Sequence, residues 1–175
     1  MITKKTKTVS EILCEHFSAI QYKDLPEKRI HAVKVLIRDY LGVALGGSKT
    51  KSGQIAATFA ESFRGERLST IIGTNIKAPA ELSAFANAIA SHSIELDDVD
   101  HLALFHFSPP VVSAALATAE KQECSGKELL RSIVLGCEMM SRVSHASNFS
   151  LRDRGFHSTP TCGVFGATIA SGLLM

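Results

Sequence analysis

Apolar residues recur along this chain at spacings of three and four, the signature of helices that bury one face. Thr8 and Glu11 form a T-x-x-E capping box, which predicts a helix start. Val9, Ile12, Leu13, Phe17 and Ile20 then share a stripe. Pro26 suits a first helical position, and Ile30, Val33, Leu36, Ile37, Tyr40, Leu41 and Ala44 carry a second stripe to a stop at Gly46 and Gly47. Ser52 is expected to cap a third helix, which runs through Phe63 and ends at Gly65. The segment LSTIIGT, Leu68 to Thr74, is the single candidate strand. Pro79 opens a fourth helix toward Glu95, Pro109 a fifth through Lys121, and Pro160 a seventh. Between the last two, the S-x-x-E box of Ser125 and Glu128 caps a sixth helix that runs to about Ala146.

This pattern predicts an all-α, multi-helix domain over residues 1–175, with at most one short strand pair. Ala78 to Ser93 and Cys162 to Gly172 consist largely of Ala, Gly and Ser. Small residues let backbones approach closely, so both are expected to be central helices packed on most sides. The chain stops inside an apolar run, ATIASGLLM, with no Gly, Asn or basic last turn after it. Helix ends normally supply such partners for their last carbonyls, so the expectation is a truncated fold.

Composition narrows the function classes. Apolar residues make up 45% and charged residues 21%, which fits a globular chain with a real core. The net charge of +2 gives no electrostatic case for nucleic acid or an acidic membrane surface. No apolar run is long enough to span a bilayer, and the early lysines are followed by no signal-type apolar core. Cys14, Cys124, Cys137 and Cys162 lack C-x-x-C spacing, which predicts free thiols and a cytoplasmic setting.

Chemistry concentrates in HSIELDDVDHLALFHFSPP, which holds Glu95, Asp97, Asp98 and Asp100 with His92, His101 and His106. Four acids follow a helix C-terminus, where the macrodipole disfavours negative charge. The segment ends in His106-Phe107-Ser108-Pro109, and the pattern His-x-[Ser/Thr]-Pro returns 51 positions later as His157-Ser158-Thr159-Pro160. Ser108 and Thr159 are expected as N-caps, with Pro109 and Pro160 at the first helical position. A helix start offers free N–H groups to a carboxylate, and a histidine at its mouth can add charge or accept a proton. If the two starts meet, the pair suits a di- or tricarboxylic acid, with the nearby acids orienting a histidine or moving a proton. Asp98, Asp100, His101 and His106 are a weaker candidate grouping for a divalent metal, because their spacing matches no specific ligand motif.

Longer stretches resemble the MmgE/PrpD family of 2-methylcitrate dehydratases, cis-aconitate decarboxylases and iminodisuccinate epimerases. LPEKRIHAVKVLIRDYLGVALGGS is similar to the family's early L-P…D-x-L-G-V-A-L-x-G-S helix. STIIGTNIKAPAELSAFANAIASHSIELDDVD is similar to I-G-T…A-P…A-x-x-N-G-A-x-A-H-x-L-D-F-D-D. HFSPPVVSAALATAE and RGFHSTPTCGVFGATIASGLL resemble the H-P-S and R-G-F-H-P-T segments that follow. The resemblance implies the N-terminal part of a mostly helical domain that carries a smaller lid, usually as a homodimer. It implies a small polycarboxylate substrate, no metal and no organic cofactor. It puts catalytic roles on His106, His157 and Asp97, and substrate contacts on Glu95, Asp98, Ser108 and Thr159. The chain departs from the pattern at Glu95, one methylene longer than the usual acid, and at Val99, which replaces a hydroxyl residue. Phe107 and Ser158 replace prolines, and Pro160 replaces a small residue. The family's later lysine, tyrosine and lid fall outside these 175 residues. Two readings follow: a segment of a cofactor-independent lyase or isomerase, or an inactive remnant or subunit that needs a separate C-terminal polypeptide.

Overall fold

The computed structural model describes residues 6–148 and 150–175. Among these, seven α-helices and one antiparallel strand pair are formed: α1 (Val9–Ala19), α2 (Glu27–Gly47), α3 (Lys51–Glu61), β1 (Ser69–Thr70), β2 (Lys77–Ala78), α4 (Ala80–His92), α5 (Ser113–Lys121), α6 (Gly126–Ala146) and α7 (Ser158–Gly172). A 3-10 turn at Tyr22–Asp24 links α1 to α2, and a π-helical turn at Ser108–Val112 leads into α5. The strand pair matches Ser69 with Ala78 and Thr70 with Lys77. The all-α expectation with one short strand pair therefore holds. None of these helices is long and apolar enough to cross a membrane.

The capping boxes at Thr8–Glu11 and Ser125–Glu128 both form, with each hydroxyl and each glutamate satisfying the other's backbone N–H. Other boundaries move. Thr50, not Ser52, caps α3, because its hydroxyl reaches the Gly53 N–H while Ser52 is already helical. Pro26 and Pro79 are N-caps rather than first helical residues. The fourth helix stops at His92, and Glu95 takes a left-handed backbone (φ 54°) that turns the chain off the α4 axis.

Helix α4 is central, as its small residues predict: it packs against α2, α3, α5 and the strand pair. Asn87 on α4 accepts from the Ile72 N–H and donates to the Thr70 carbonyl, both at 2.8 Å, which ties the strands to the helix. A Cβ on Gly47 would lie 1.8 Å from the Ala90 carbonyl, so α2 and α4 cross at a distance only glycine allows. Helix α7 is less enclosed than expected. It packs closely on α6, where Gly136 and Gly166 face each other with no room for a Cβ. Its opposite side leaves Val164 and Phe165 exposed.

The main core gathers Tyr40, Phe105, Val111, Val112, Ala115, Ile133, Met140 and Cys162. The buried Tyr40 hydroxyl pairs with Ser113 at 2.7 Å, and burial pushes its ionisation well above the ordinary phenol range. A smaller cluster joins α1 to α6 through Phe17, Leu135 and Met139. Leu13 and Phe17 on α1, and Ile20 just past its end, pack inward, whereas Val9 and Ile12 at the start of the same stripe are exposed.

Candidate functional site

The acidic segment folds back on the end of α4. His92, the last residue of that helix, directs Nδ1 at both oxygens of Asp97, at 3.1 and 3.0 Å. The Asp97 carboxylate is fully buried, and His106 approaches it from the other side, its Nδ1 3.1 Å from Oδ2. That separation is hydrogen-bond length, yet the oxygen lies off the direction of a ring N–H, and the buried Nδ1 makes no hydrogen bond among the described residues. The two imidazole rings meet edge to face, with centroids 4.6 Å apart. Glu95 extends the cluster outward, its Oε1 3.6 Å from Nε2 of His92.

The remaining acids are occupied by backbone. Asp98 accepts from the Phe107 N–H at 2.9 Å and the Ser108 N–H at 3.0 Å, one on each oxygen. It thereby caps the turn that starts at Ser108. Asp100 accepts from the Leu102 and Ala103 N–H groups, and its own N–H bonds the Phe105 carbonyl, which closes a tight loop around Leu104 (φ 52°). The metal grouping of Asp98, Asp100, His101 and His106 therefore does not assemble. Both aspartates serve the loop backbone, and His101 is exposed. The side chains that converge, and that could hold a metal, are His92, Asp97 and His106.

The two His-x-[Ser/Thr]-Pro segments do meet. The His106 N–H donates to the Thr159 hydroxyl at 3.1 Å, across 53 positions of chain. Neither expected cap is used, however. Ser108 is the first residue of its own turn, fully buried, and its hydroxyl has no partner among the described residues. Thr159 lies inside α7, whose N-cap is His157, with Nδ1 accepting from the Thr159 N–H at 3.2 Å. Pro109 and Pro160 accordingly fall one and two residues beyond the first helical position. His157 is exposed, and Ser158 and Thr159 beside it are buried.

A groove of about 600 Å³ runs between α1, α2 and α6 and touches Asp98, Val99 and Phe107. None of His92, Asp97, His106 or His157 lines it. Cys137 borders this groove, its thiol held far above the ordinary range by burial first and by the negative charges of Asp98 and Glu138 second.

Sequence reasoning passed over one member of the cluster, His92. The signal was present, because the histidine of the A-H-x-L-D-F-D-D pattern falls on this position. Only the reversal of the chain at Glu95 shows that it faces Asp97.

Residues 11–175 match the MmgE/PrpD N-terminal domain. Cis-aconitate decarboxylase of Homo sapiens is 28% identical over 171 residues, which cover 94% of this chain and 35% of that protein. Cis-aconitate decarboxylase of Mus musculus is 27% identical over 172 residues, with the same two coverages of 94% and 35%. The chain thus spans about a third of the length of these relatives. With the family pattern running from α1 to the end of α7, and with its histidine segments joined at one place in the fold, the chain belongs to the MmgE/PrpD family.

Proposed function

We propose that this chain supplies the histidine half of a cofactor-independent lyase or isomerase that handles protons alpha to a carboxylate on a small di- or tricarboxylic acid. The observation that carries this is the hydrogen bond from His106 to Thr159, which brings two distant histidine segments to one place. The printed activity of the relatives, decarboxylation of cis-aconitate, supports the substrate class.

In this reading His106 is the acid/base group. With Nδ1 turned to the buried carboxylate of Asp97, Nε2 is the nitrogen left for substrate. The Asp97 carboxylate, 3.1 Å from Nδ1 but not hydrogen-bonded to it, places a negative charge beside the ring. In a dehydration, Nε2 takes the proton on the alpha carbon, the electron pair left behind forms the double bond, and the protonated ring gives that proton to the departing neighbouring hydroxyl, which leaves as water. In a decarboxylation, carbon dioxide leaves first and the protonated ring returns a proton to carbon. His157, exposed at the start of α7, holds a substrate carboxylate beside that helix end. Glu95 and the first turns containing Ser108 and Thr159 form the wall of the site, and Asp98 fixes the backbone of the His106 turn.

Proton transfer by a placed side chain contributes about 10²–10⁴-fold in rate. His106→Ala in the complete enzyme should therefore lower kcat on cis-aconitate or 2-methylcitrate by that factor. A loss under about fivefold would remove His106 from the chemistry, since it lies well below that range.

These residues span about 35% of the relatives' length, so the reaction above is expected of them only together with the remaining length. Mixing this chain with a polypeptide that corresponds to that remaining length tests it: activity that appears only in the mixture supports a contribution from both parts.

A further inference from the structure

We propose that His92, Asp97 and His106 form a chelating site for one divalent transition-metal ion, zinc foremost. The proposal goes beyond the reaction above and does not depend on it.

The argument starts from a buried charge. The Asp97 carboxylate is 0% exposed, and among the described residues its only ion-pair partners are the two imidazoles. A buried carboxylate is costly unless a positive charge and hydrogen bonds compensate it. Each imidazole can supply that charge only by carrying an additional proton. A metal ion supplies it directly.

The donor atoms suit the metal. The two Nδ1 atoms lie 3.0 and 3.1 Å from the same carboxylate oxygen, and all the candidate ligand atoms lie within 4.8 Å of one another. An ion about 2.0–2.2 Å from each donor spans two donors up to about 4.4 Å apart, so the cluster closes on it with the imidazoles drawing together by at most about 0.4 Å. Two imidazoles and one carboxylate are the borderline ligand set that favours zinc and its neighbours over magnesium or calcium. They also leave coordination positions open.

Two features go beyond mere proximity. First, the Nδ1 of His106 is buried, 3.1 Å from a carboxylate oxygen, and without a hydrogen bond. It therefore gives up no existing bond on binding a metal. Second, Glu95 stands 3.6 Å from the far nitrogen of His92. That separation is beyond a hydrogen bond, but the negative charge favours the tautomer protonated on the outer nitrogen, which leaves the inner nitrogen's lone pair for the metal. The metal takes the place of any proton on either Nδ1, and that proton leaves to solvent. Metal binding and proton handling by His106 are thus alternative states of one cluster.

The test is zinc titration of the chain in a non-chelating buffer, followed by calorimetry. The expected result is one saturable zinc per chain. His92→Ala and His106→Ala should each weaken it on the order of 100-fold, and Glu95→Gln, which removes only an exposed charge, by about threefold or less. Magnesium should show no comparable binding. Long-range nitrogen NMR of the unmodified chain gives a readout that needs no variant: zinc should shift Nδ1 of His92 and of His106 and of no other histidine. Absence of saturable zinc binding, binding that survives both alanine variants, equal binding of magnesium, or unshifted Nδ1 signals would each overturn the site.

Discussion

The turn after His106 and the start of α7 share one four-residue pattern, yet they satisfy their backbones in opposite ways. At the first, the cap comes from a distant side chain: Asp98 takes both the Phe107 and the Ser108 N–H, and the buried Ser108 hydroxyl has no partner among the described residues. At the second, the histidine caps its own helix through Nδ1, and the Thr159 hydroxyl is free to accept from His106. The consequence for the rings differs too. His106 faces a buried carboxylate, whereas His157 spends Nδ1 on its helix and stands exposed. A shared motif thus fixes where a histidine sits relative to a helix start, while the neighbours decide what the histidine can do.

Three substitutions probe the difference, beginning with the largest expected effect. Asp98→Ala strips both acceptors from the first turn. Each orphaned N–H costs about 1–3 kcal/mol, so a total loss of about 2–6 kcal/mol is expected in urea unfolding. A loss below about 1 kcal/mol would mean that water or another group caps the turn equally well. His157→Ala removes one side-chain cap at an exposed helix start and should cost about 1 kcal/mol by the same measurement. If it cost as much as Asp98→Ala, the contrast between the two starts would collapse. Ser108→Ala should leave stability within about 0.5 kcal/mol, because the hydroxyl it deletes has no partner to lose. A clear destabilisation there would reveal a hydrogen bond to Ser108.

Much of the helical frame was legible in the residues. The Thr8–Glu11 and Ser125–Glu128 boxes marked two helix starts because capping is local, settled within four residues. The small-residue composition of α4 announced a central helix, since only such residues permit the approach seen at Gly47 and Ala90. The same composition misled for α7, where Gly136 and Gly166 bring α6 close on one side and nothing described covers Val164 and Phe165 on the other. Composition measures how closely a helix can be approached, and says nothing of how many neighbours approach it. The Ser108 and Thr159 caps failed for a related reason: a long-range acceptor, Asp98, and a local one, His157, reached the free N–H groups first.

Within the site, the candidate histidines and acids could be picked out by residue type and by the repeated motif. Their pairing could not. The chain by itself determined the helices, their capping boxes, the two histidine segments and the family, because periodicity, capping and motif are properties of neighbouring residues. Tertiary structure alone decided that His92 shares the carboxylate of Asp97 with His106, that Asp98 serves the backbone, and that Thr159 joins the two segments. Those contacts hang on the left-handed turn at Glu95 and on the close crossing of α6 and α7, which set distances no spacing along the chain encodes.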